Sequence, residues 1–398
     1  MNDGKINISL NQLLSSLSIA LDLAQNRSFE HSRRTAYISL MLSQKMGLDS
    51  ETMTDIYFAS LLHDIGMSGN LSRFSIDEFH TDKDLKRLHS ARGADIVKNL
   101  PLSQRIGKYI LFHHDDWDGT GIHRLKGNEI PIGSQIIHLA DNIELMYSRQ
   151  CSVSKTKEKI LQYVEAEAGK QFHPDIVDSF LTLSRSEKFW MDMMDHHIYM
   201  VLNKIEPIQM ATIDMDGMEK IAQAFAILID NKSEFTYSHS QGIAHISREM
   251  GKSLGFEALK WRKIGVAAYM HDLGKLAVPN EILDKPGKLT AQEYQIIKSH
   301  PYYTKLIIGQ VEGCEDIAEW AGNHHERVDG TGYPECLHKR ELTIEDQIIA
   351  AADVYQALTE DRPYRKGLKK ADAVKILHDM VKSGQIRKDA FDCLEAVV

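Results

Sequence analysis

One set of histidines and aspartates occurs twice in this chain, and this duplication constrains the fold more than any other feature. In each half a histidine precedes an adjacent histidine–aspartate pair by 32 residues: His31 before His63 and Asp64, and His239 before His271 and Asp272. The two sets are offset by 208 residues. Recurrence of chemically distinctive residues at a fixed spacing is the sequence sign of an internal repeat.

The remaining members of the set recur at offsets of 211 or 212 residues, a drift that short loop insertions explain: His89 and His300, His113 and His324, His114 and His325, Asp141 and Asp353. A chain of 398 residues is long enough for two folding units with a core each. We therefore expect two copies of one domain, over residues 1–205 and 206–398.

Hydrophobic periodicity indicates an all-α fold. Apolar residues recur at three- and four-residue intervals in the segments 219–231 and 346–360, whereas alternating strand patterns are scarce. Amphipathic stretches also fill residues 150–210, which we expect to complete the first copy and connect it to the second. Turn residues cluster at 115–131 and 326–342, directly after each paired histidine, and predict ordered loops. The expected architecture is two tandem helical bundles joined by a helical connector.

The residue types in the repeat are those of a metal site. Two closely spaced ions need imidazole ligands on each ion and a carboxylate that bridges them, and each copy supplies five histidines and two aspartates. Such a pair lowers the pKa of a bound water and neutralises a phosphodiester under attack. The alternative is that these are core histidines bonded to backbone carbonyls, but it would have to explain the same spacing twice.

Composition excludes several partners. The net charge is −9, from 47 basic and 56 acidic side chains, so duplex nucleic acid and anionic membranes are not expected partners. The N-terminus predicts an amphipathic helix rather than a signal peptide, and no apolar run is long enough to span a bilayer. The four cysteines have no C-x-x-C spacing, which fits a reducing compartment. We expect a cytoplasmic protein, with a homodimer or a signalling-protein partner left open.

The second copy resembles a known family. Its motifs are HDLGK from His271, NHHERVDGTGYP from Asn323 and DVYQALTEDRPYR from Asp353. These strings are similar to those of the HD-GYP subfamily of HD-domain phosphohydrolases, from about Glu234 to the end of the chain. The resemblance implies an all-helical domain with a dinuclear or trinuclear centre, often of iron or manganese. It also implies hydrolysis of cyclic di-GMP, or in some relatives cyclic GMP-AMP, to the linear dinucleotide and onward to mononucleotides.

The resemblance assigns roles by position. The implied metal ligands of the second copy are His239, His271, Asp272, His300, His324, His325 and Asp353. Asp272 is the expected bridge, and Lys275 resembles the lysine that contacts the scissile phosphate. Arg362 and Arg365 resemble phosphate-facing residues, a role that suits a bidentate guanidinium. Tyr333 lies in the Gly-Tyr-Pro loop at residues 326–342, called the signature loop below. Its role could be to line the pocket or only to form the turn, and both alternatives are open.

One departure bears on the number of metals. Trinuclear members place a glutamate four residues before the first histidine, and here that position is Phe235, with Glu234 one residue away. One residue turns a helical side chain by about 100 degrees. We therefore expect two divalent or mixed-valence ions, of iron or manganese, in the second copy.

The first copy retains all seven ligand positions but not the substrate-related residues. Its potential metal site comprises His31, His63, Asp64, His89, His113, His114 and Asp141. Met67 replaces Lys275, Ile122 and His123 replace Tyr333 and Pro334, and no DRPYR string follows Asp141. We expect a regulatory or structural domain that can still hold metal.

Two rival functions remain open. A general HD phosphohydrolase acting on other nucleotides or phosphomonoesters would share the ligands, but it would not need the Gly-Tyr-Pro loop or the arginines. A non-catalytic signalling adaptor would fit the first copy but not the second.

Overall fold

A computed structural model describes residues 8–24, 30–67, 71, 82–148, 153–194, 197–207, 212–232, 239–361 and 366–398. Contacts divide the chain into two compact units. The C-terminal unit comprises Met1–Ser16, Ser68–Asn70 and Thr212–Val398, and the N-terminal unit comprises Leu17–Met67 and Leu71–Ala211. The domain boundary expected at residue 206 stays a prediction.

The described residues confirm the all-α expectation. The helices of the first half of the chain are α1 (Leu10–Ala24), α2 (His31–Lys45), α3 (Ser50–Leu62), α4 (Lys83–Val97), α5 (Gln104–Leu111), α6 (Ile132–Ser148), α7 (Val153–Ala166), α8 (Pro174–Leu183), α9 (Glu187–Asp192) and α10 (Ile198–Ile205). Short 3-10 turns cover Ile65–Met67 and Gly127–Glu129. The amphipathic segments expected between residues 150 and 210 form α7 to α10.

The second half repeats this order of long helices. It contains α11 (Met215–Asp230), α12 (His239–Ser253), α13 (Ala258–Met270), α14 (Asn280–Leu283), α15 (Ala291–Ile297), α16 (His300–Ile308), α17 (Glu315–Gly322), α18 (Ile344–Thr359), α19 (Lys370–Lys382) and α20 (Lys388–Val397). A 3-10 turn covers Leu273–Ala277. The two segments with the clearest periodicity thus form α11 and α18, as predicted.

The strands found in the described residues are two short ones, β1 (Ile8–Ser9) and β2 (Thr212–Ile213), which pair antiparallel with Ile8 opposite Ile213. Both strands belong to the C-terminal unit. β1 therefore joins the first residues of the chain to the start of the second repeat. No periodicity in so short a segment could predict this pairing.

Local capping chemistry explains where several helices begin. The Asp214 carboxylate accepts a hydrogen bond from the Gly217 amide at 2.9 Å and caps α11. Thr343 and Asp346 form a capping box at the start of α18, and this fixes the register of the helix that carries Asp353. The inner faces of these helices form the apolar core, in which Phe225 and Ile348 are fully buried.

No helix among the described residues is long and apolar enough to cross a membrane.

Candidate metal centres

Helix ends position most of the candidate ligands of the C-terminal unit. His239 and His300 begin α12 and α16, and His271 directly follows α13. The adjacent pair His324 and His325 lies just beyond the end of α17. Side chains at a helix end can turn toward a common point without interrupting the helical hydrogen bonds. Residues far apart in sequence therefore converge in the unit.

Six of the seven candidate ligands of this unit fall into two trios that share no residue. Within each trio the ligand atoms lie within 4.8 Å of one another: His239, His271 and Asp353 in the first, and His300, His324 and His325 in the second. Asp272 faces both. Its Oδ2 lies 3.2 Å from Nε2 of His271, and its Oδ1 lies 3.2 Å from Nε2 of His300. One carboxylate thus has an oxygen toward each trio, which is the geometry of a bridging ligand.

Backbone carbonyls fix the orientation of three of the rings. Nδ1 of His271 lies 2.8 Å from the Ala268 carbonyl oxygen, and His300 and His324 make equivalent contacts of 2.7 Å with the carbonyls three residues before them. Because a carbonyl oxygen only accepts, Nδ1 carries the hydrogen in each ring and Nε2 presents a lone pair. These rings are held ready to bind a cation through Nε2.

The Nε2 lone pairs of these rings face other hydrogen-bond acceptors instead of donors. The Nε2 atoms of His300 and His324 are 3.2 Å apart, and both rings donate from Nδ1. Nε2 of His271 and Oδ1 of Asp272 are buried and make no hydrogen bond within the described residues. Acceptors that face one another in a buried site are unfavourable unless a cation or proton lies between them. The residues present therefore fit a pair of metal ions.

The protonation states of the second trio and of Asp272 suit metal binding. Burial, with repulsion from the neighbouring imidazoles, holds the pKa of His324 well below its usual value and lowers that of His325 to about 3. Burial alone would raise the pKa of Asp272, but His271 and Lys275 hold it well below the usual range. Neutral imidazoles beside an ionised carboxylate are the forms that bind metal.

A carboxylate outside the trios supports the first of them. Oε2 of Glu360 lies 3.1 Å from Nδ1 of His239, whose Nε2 is 3.2 Å from Oδ1 of Asp353. Burial lowers the pKa of His239, but these two carboxylates outweigh it and raise the pKa to about 9. The role of Glu360 was missed from the sequence, although it lies inside the string DVYQALTEDRPYR.

Lys275 lies at the edge of this cluster. It follows Asp272 by one turn of the 3-10 helix, and its Nζ lies 2.5 Å from Asp272 Oδ2. About 29% of its side chain is exposed, so it is accessible from the solvent side. The expected contact with a scissile phosphate stays a prediction, but Lys275 is near enough to the ligands for that contact.

The signature loop is fastened to the site by a buried glutamate. The Glu326 carboxylate accepts hydrogen bonds from the amides of Glu335, Cys336 and Leu337 at 2.6, 3.2 and 3.0 Å. The Tyr333 ring stacks on His325, with centroids 4.8 Å apart. The loop thus has defined turn geometry and also contributes a ring to the surroundings of the ligands.

Four predicted positions lie outside the described residues. They are Arg362 and Arg365 of the DRPYR string, and Glu234 and Phe235 before the first histidine. The phosphate-facing role of the arginines and the number of metals therefore stay predictions.

The N-terminal unit brings its own seven residues together in the same way. The trios are His31, His63 and Asp141, and His89, His113 and His114. Asp64 again has one oxygen toward each trio, with Oδ2 3.3 Å from His63 Nε2 and Oδ1 3.4 Å from His89 Nε2. Nε2 of His113 and Oδ1 of Asp141 are buried without a hydrogen bond in the described part of the unit. These donors therefore fit metal as well.

The surroundings of the N-terminal trios differ from those of the C-terminal trios. His31 contacts the buried Glu144 through Nδ1, and Glu144 also accepts a 2.7 Å bond from Nε of Arg34. The role of Glu144 was missed from the sequence, although it lies one helical turn after Asp141. Met67, at the position of Lys275, is buried and apolar. The N-terminal unit therefore has no cationic side chain at the position where Lys275 lies beside Asp272 in the C-terminal unit.

Three comparisons with known proteins agree with this geometry. The family model described as HD domain matches residues 16–176 and 223–387. The chain is 30% identical over 396 residues to 3'3'-cGAMP-specific phosphodiesterase 1 of Vibrio cholerae, covering 98% of this chain and 91% of that protein. It is 28% identical to 3'3'-cGAMP-specific phosphodiesterase 3 of the same organism, covering 93% and 90%.

Relatives named for another substrate match a smaller part of the chain. A cyclic di-GMP phosphodiesterase of Pseudomonas aeruginosa is 35% identical over 150 residues, which are 37% of this chain and 36% of that protein. Among solved structures, a cyclic GMP-AMP specific phosphodiesterase of V. cholerae superposes with a TM-score of 0.74 at 26% identity, covering 98% of both chains. The tandem arrangement is thus shared with a solved protein along nearly its whole length.

Proposed function

This chain belongs to the HD domain family, and we propose that its C-terminal unit is a metal-dependent phosphodiesterase that hydrolyses a cyclic dinucleotide. The observation that carries the proposal is the position of Asp272: one oxygen lies 3.2 Å from His271 of the first trio, the other lies 3.2 Å from His300 of the second, and Lys275 lies beside it. These residues supply ligand atoms for two metal ions, and a cationic side chain lies beside them. Together these positive charges can neutralise a phosphodiester anion.

Two ions held by these residues would supply a water of lowered pKa as nucleophile and would neutralise charge on the phosphodiester. Asp272 would connect the two trios by binding both ions. The hydrogen bonds from Nδ1 of His271, His300 and His324 to backbone carbonyls keep these rings oriented. The Lys275 ammonium offsets the charge that develops on a phosphate oxygen. Hydrolysis adds water across one phosphorus–oxygen bond of the ring and leaves a linear dinucleotide.

We propose 3'3'-cyclic GMP-AMP as the preferred substrate. The motif resemblance alone puts cyclic di-GMP first. The relatives that align with nearly the whole chain are named for cyclic GMP-AMP, whereas a relative named for cyclic di-GMP aligns with 37% of it. The tandem arrangement, and not only the metal site, therefore supports cyclic GMP-AMP.

For the metals we propose two ions in the C-terminal unit, iron or manganese, because imidazole and carboxylate donors suit both elements. We further propose that the N-terminal unit holds metal without hydrolysing a cyclic dinucleotide. Met67 in place of Lys275, and the absence of a DRPYR string after Asp141, support this division.

The decisive experiment incubates the purified chain with cyclic GMP-AMP, cyclic di-GMP and a phosphomonoester, each with Mn²⁺ or Fe²⁺. We expect cyclic GMP-AMP to be linearised fastest and the monoester to be stable. Turnover of the monoester alone would assign the chain to the general phosphohydrolases. No turnover of any of the three by metal-loaded protein would favour a signalling adaptor.

A further inference from the structure

A cavity of about 350 Å³ opens beside the second trio of the C-terminal unit. His324 and His325 form one side of it, and Tyr294, Lys298 and Tyr333 also line it. Small-molecule sites occupy about 300–1,000 Å³, so this cavity is at the lower end of the range. It can hold part of a cyclic dinucleotide while another part lies over the metal ligands.

Two cationic side chains line this cavity and form no salt bridge within the described residues, although the charge of Arg327 also acts on Asp329. Nζ of Lys298 lies 5.1 Å from the centre of the Tyr294 ring and 5.2 Å from that of Tyr333. Arg327 also lines the cavity and is exposed. Within the described ranges neither cation is within 4.0 Å of a carboxylate oxygen. A lysine held between aromatic faces and an unpaired guanidinium favour an anionic ligand.

The N-terminal unit has a different kind of residue at two of the positions that match the cavity lining. At the offset of 211 residues, Asp116 stands where Arg327 stands, which reverses the charge. At the offset of 212, His138 matches Ala350, another residue of the cavity lining. The smallest side chain of the cavity wall is therefore a bulky imidazole in the other copy.

His138 occupies its position through a network of hydrogen bonds. Its Nδ1 lies 2.7 Å from the His113 carbonyl oxygen, and its Nε2 lies 3.1 Å from Nε2 of Gln171. The Tyr163 hydroxyl in turn donates to Oε1 of Gln171 at 2.6 Å. His138 is 3% exposed. These bonds hold a buried imidazole at the position that matches Ala350 of the cavity wall.

We propose that the cavity is a substrate subsite, which binds the half of the cyclic dinucleotide that is not being cleaved. The phosphate of that half lies near Lys298 and Arg327, and its base packs against the exposed Tyr294 ring and the apolar Val354. This inference rests on the proposed function. The subsite accounts for the preference of the enzyme for a cyclic dinucleotide, which reaches it, over a small phosphodiester, which does not. It also gives a reason for the inactivity that we propose for the N-terminal copy, which retains every ligand position.

Two substitutions transfer features of the N-terminal copy. Ala350→His places an imidazole in the cavity wall, and Arg327→Asp reverses the charge at an exposed position that folding does not require. Lys252→Met is the control for Lys298→Met: Nζ of Lys252 lies 4.7 Å from the centre of the Trp261 ring and 2.7 Å from Oε1 of Glu249, and Lys252 does not line the cavity. Each variant is assayed with cyclic GMP-AMP and with bis(p-nitrophenyl) phosphate, which needs the metals but not the subsite.

For Arg327→Asp and Lys298→Met we expect kcat/KM for cyclic GMP-AMP to fall about 10- to 100-fold, the value of one hydrogen bond to a charged group. We expect Ala350→His to lower it as well, because the imidazole occupies part of the cavity. Turnover of the small diester and the bound metal should not change, and Lys252→Met should behave as wild type. Unchanged cyclic dinucleotide turnover in Arg327→Asp and Lys298→Met would overturn the subsite. So would an equal loss of both substrates in Arg327→Asp, because that residue would then serve the metal centre. A wild-type protein that cleaves only the small diester would instead contradict the proposed function.

Discussion

Replacing the bridging aspartate in each unit tests the division of labour between them. Asp272→Asn keeps the shape of the side chain but removes the charge that faces His271, His300 and Lys275 at 2.5–3.2 Å. An amide cannot bridge two ions as a carboxylate does, so at least one ion should be lost or displaced. Two-metal assistance contributes roughly 4 kcal/mol of transition-state stabilisation, and each 1.36 kcal/mol is a factor of ten, so kcat/KM should fall about 10³-fold.

The control is the same substitution in the N-terminal unit. Asp64→Asn removes a carboxylate in nearly the same surroundings, 3.3 Å from His63 and 3.4 Å from His89. We expect its turnover to stay within about threefold of wild type, since effects below about 0.7 kcal/mol are small on this scale. Its bound metal should nevertheless decrease.

The assay combines three measurements on each variant: initial rates with cyclic GMP-AMP, metal content by elemental analysis, and unfolding by circular dichroism. The reasoning is refuted if Asp272→Asn loses metal but keeps its rate. It is also refuted if Asp64→Asn loses as much activity as Asp272→Asn while its unfolding temperature is unchanged. A common loss of folding would be visible in the third measurement.

Three further predictions concern the C-terminal unit. Adding Mn²⁺ at about a hundred times its Kd should raise the Tm of metal-free protein by roughly 5–10 °C, and a chelator should reverse the shift, which calorimetry can check; no shift would contradict the metal site. Lys275→Met, which introduces the residue of the N-terminal copy, should lower kcat about 10- to 100-fold with metal content unchanged, and a loss of metal instead would make Lys275 a structural residue. Burial lowers the pKa of Lys232 from 10.5 to about 8, so its protonated form destabilises the folded state by roughly 3 kcal/mol at pH 7. The stability of the wild type therefore rises with pH from about 8 to 10.5. In urea, Lys232→Met should be more stable than wild type at pH 7 but not at pH 10.5. An equal difference in stability at the two pH values would exclude the buried charge of Lys232 as its cause.

The candidate ligands could be picked out from the sequence alone because they are chemically distinctive and occur twice at nearly the same spacing. His63 and His271, with the aspartates that follow them, need no tertiary information to be matched. Helical periodicity is equally local, which is why α11 and α18 were predicted within a few residues of their bounds. Glu144 and Glu360 were missed because a single glutamate is common on helix surfaces, and only the fold brings it to a histidine ring.

The sequence by itself determined that this chain is helical, duplicated and equipped twice with the same ligand residues. Only the tertiary structure decided how those residues divide into trios and that Asp272 faces both. It also decided that a cavity lies beside His325 in one unit and that His138 is buried in the other. The physical reason is that the sequence gives the type and the spacing of the residues along the chain. The distances between their ligand atoms depend on where separate helices end in space.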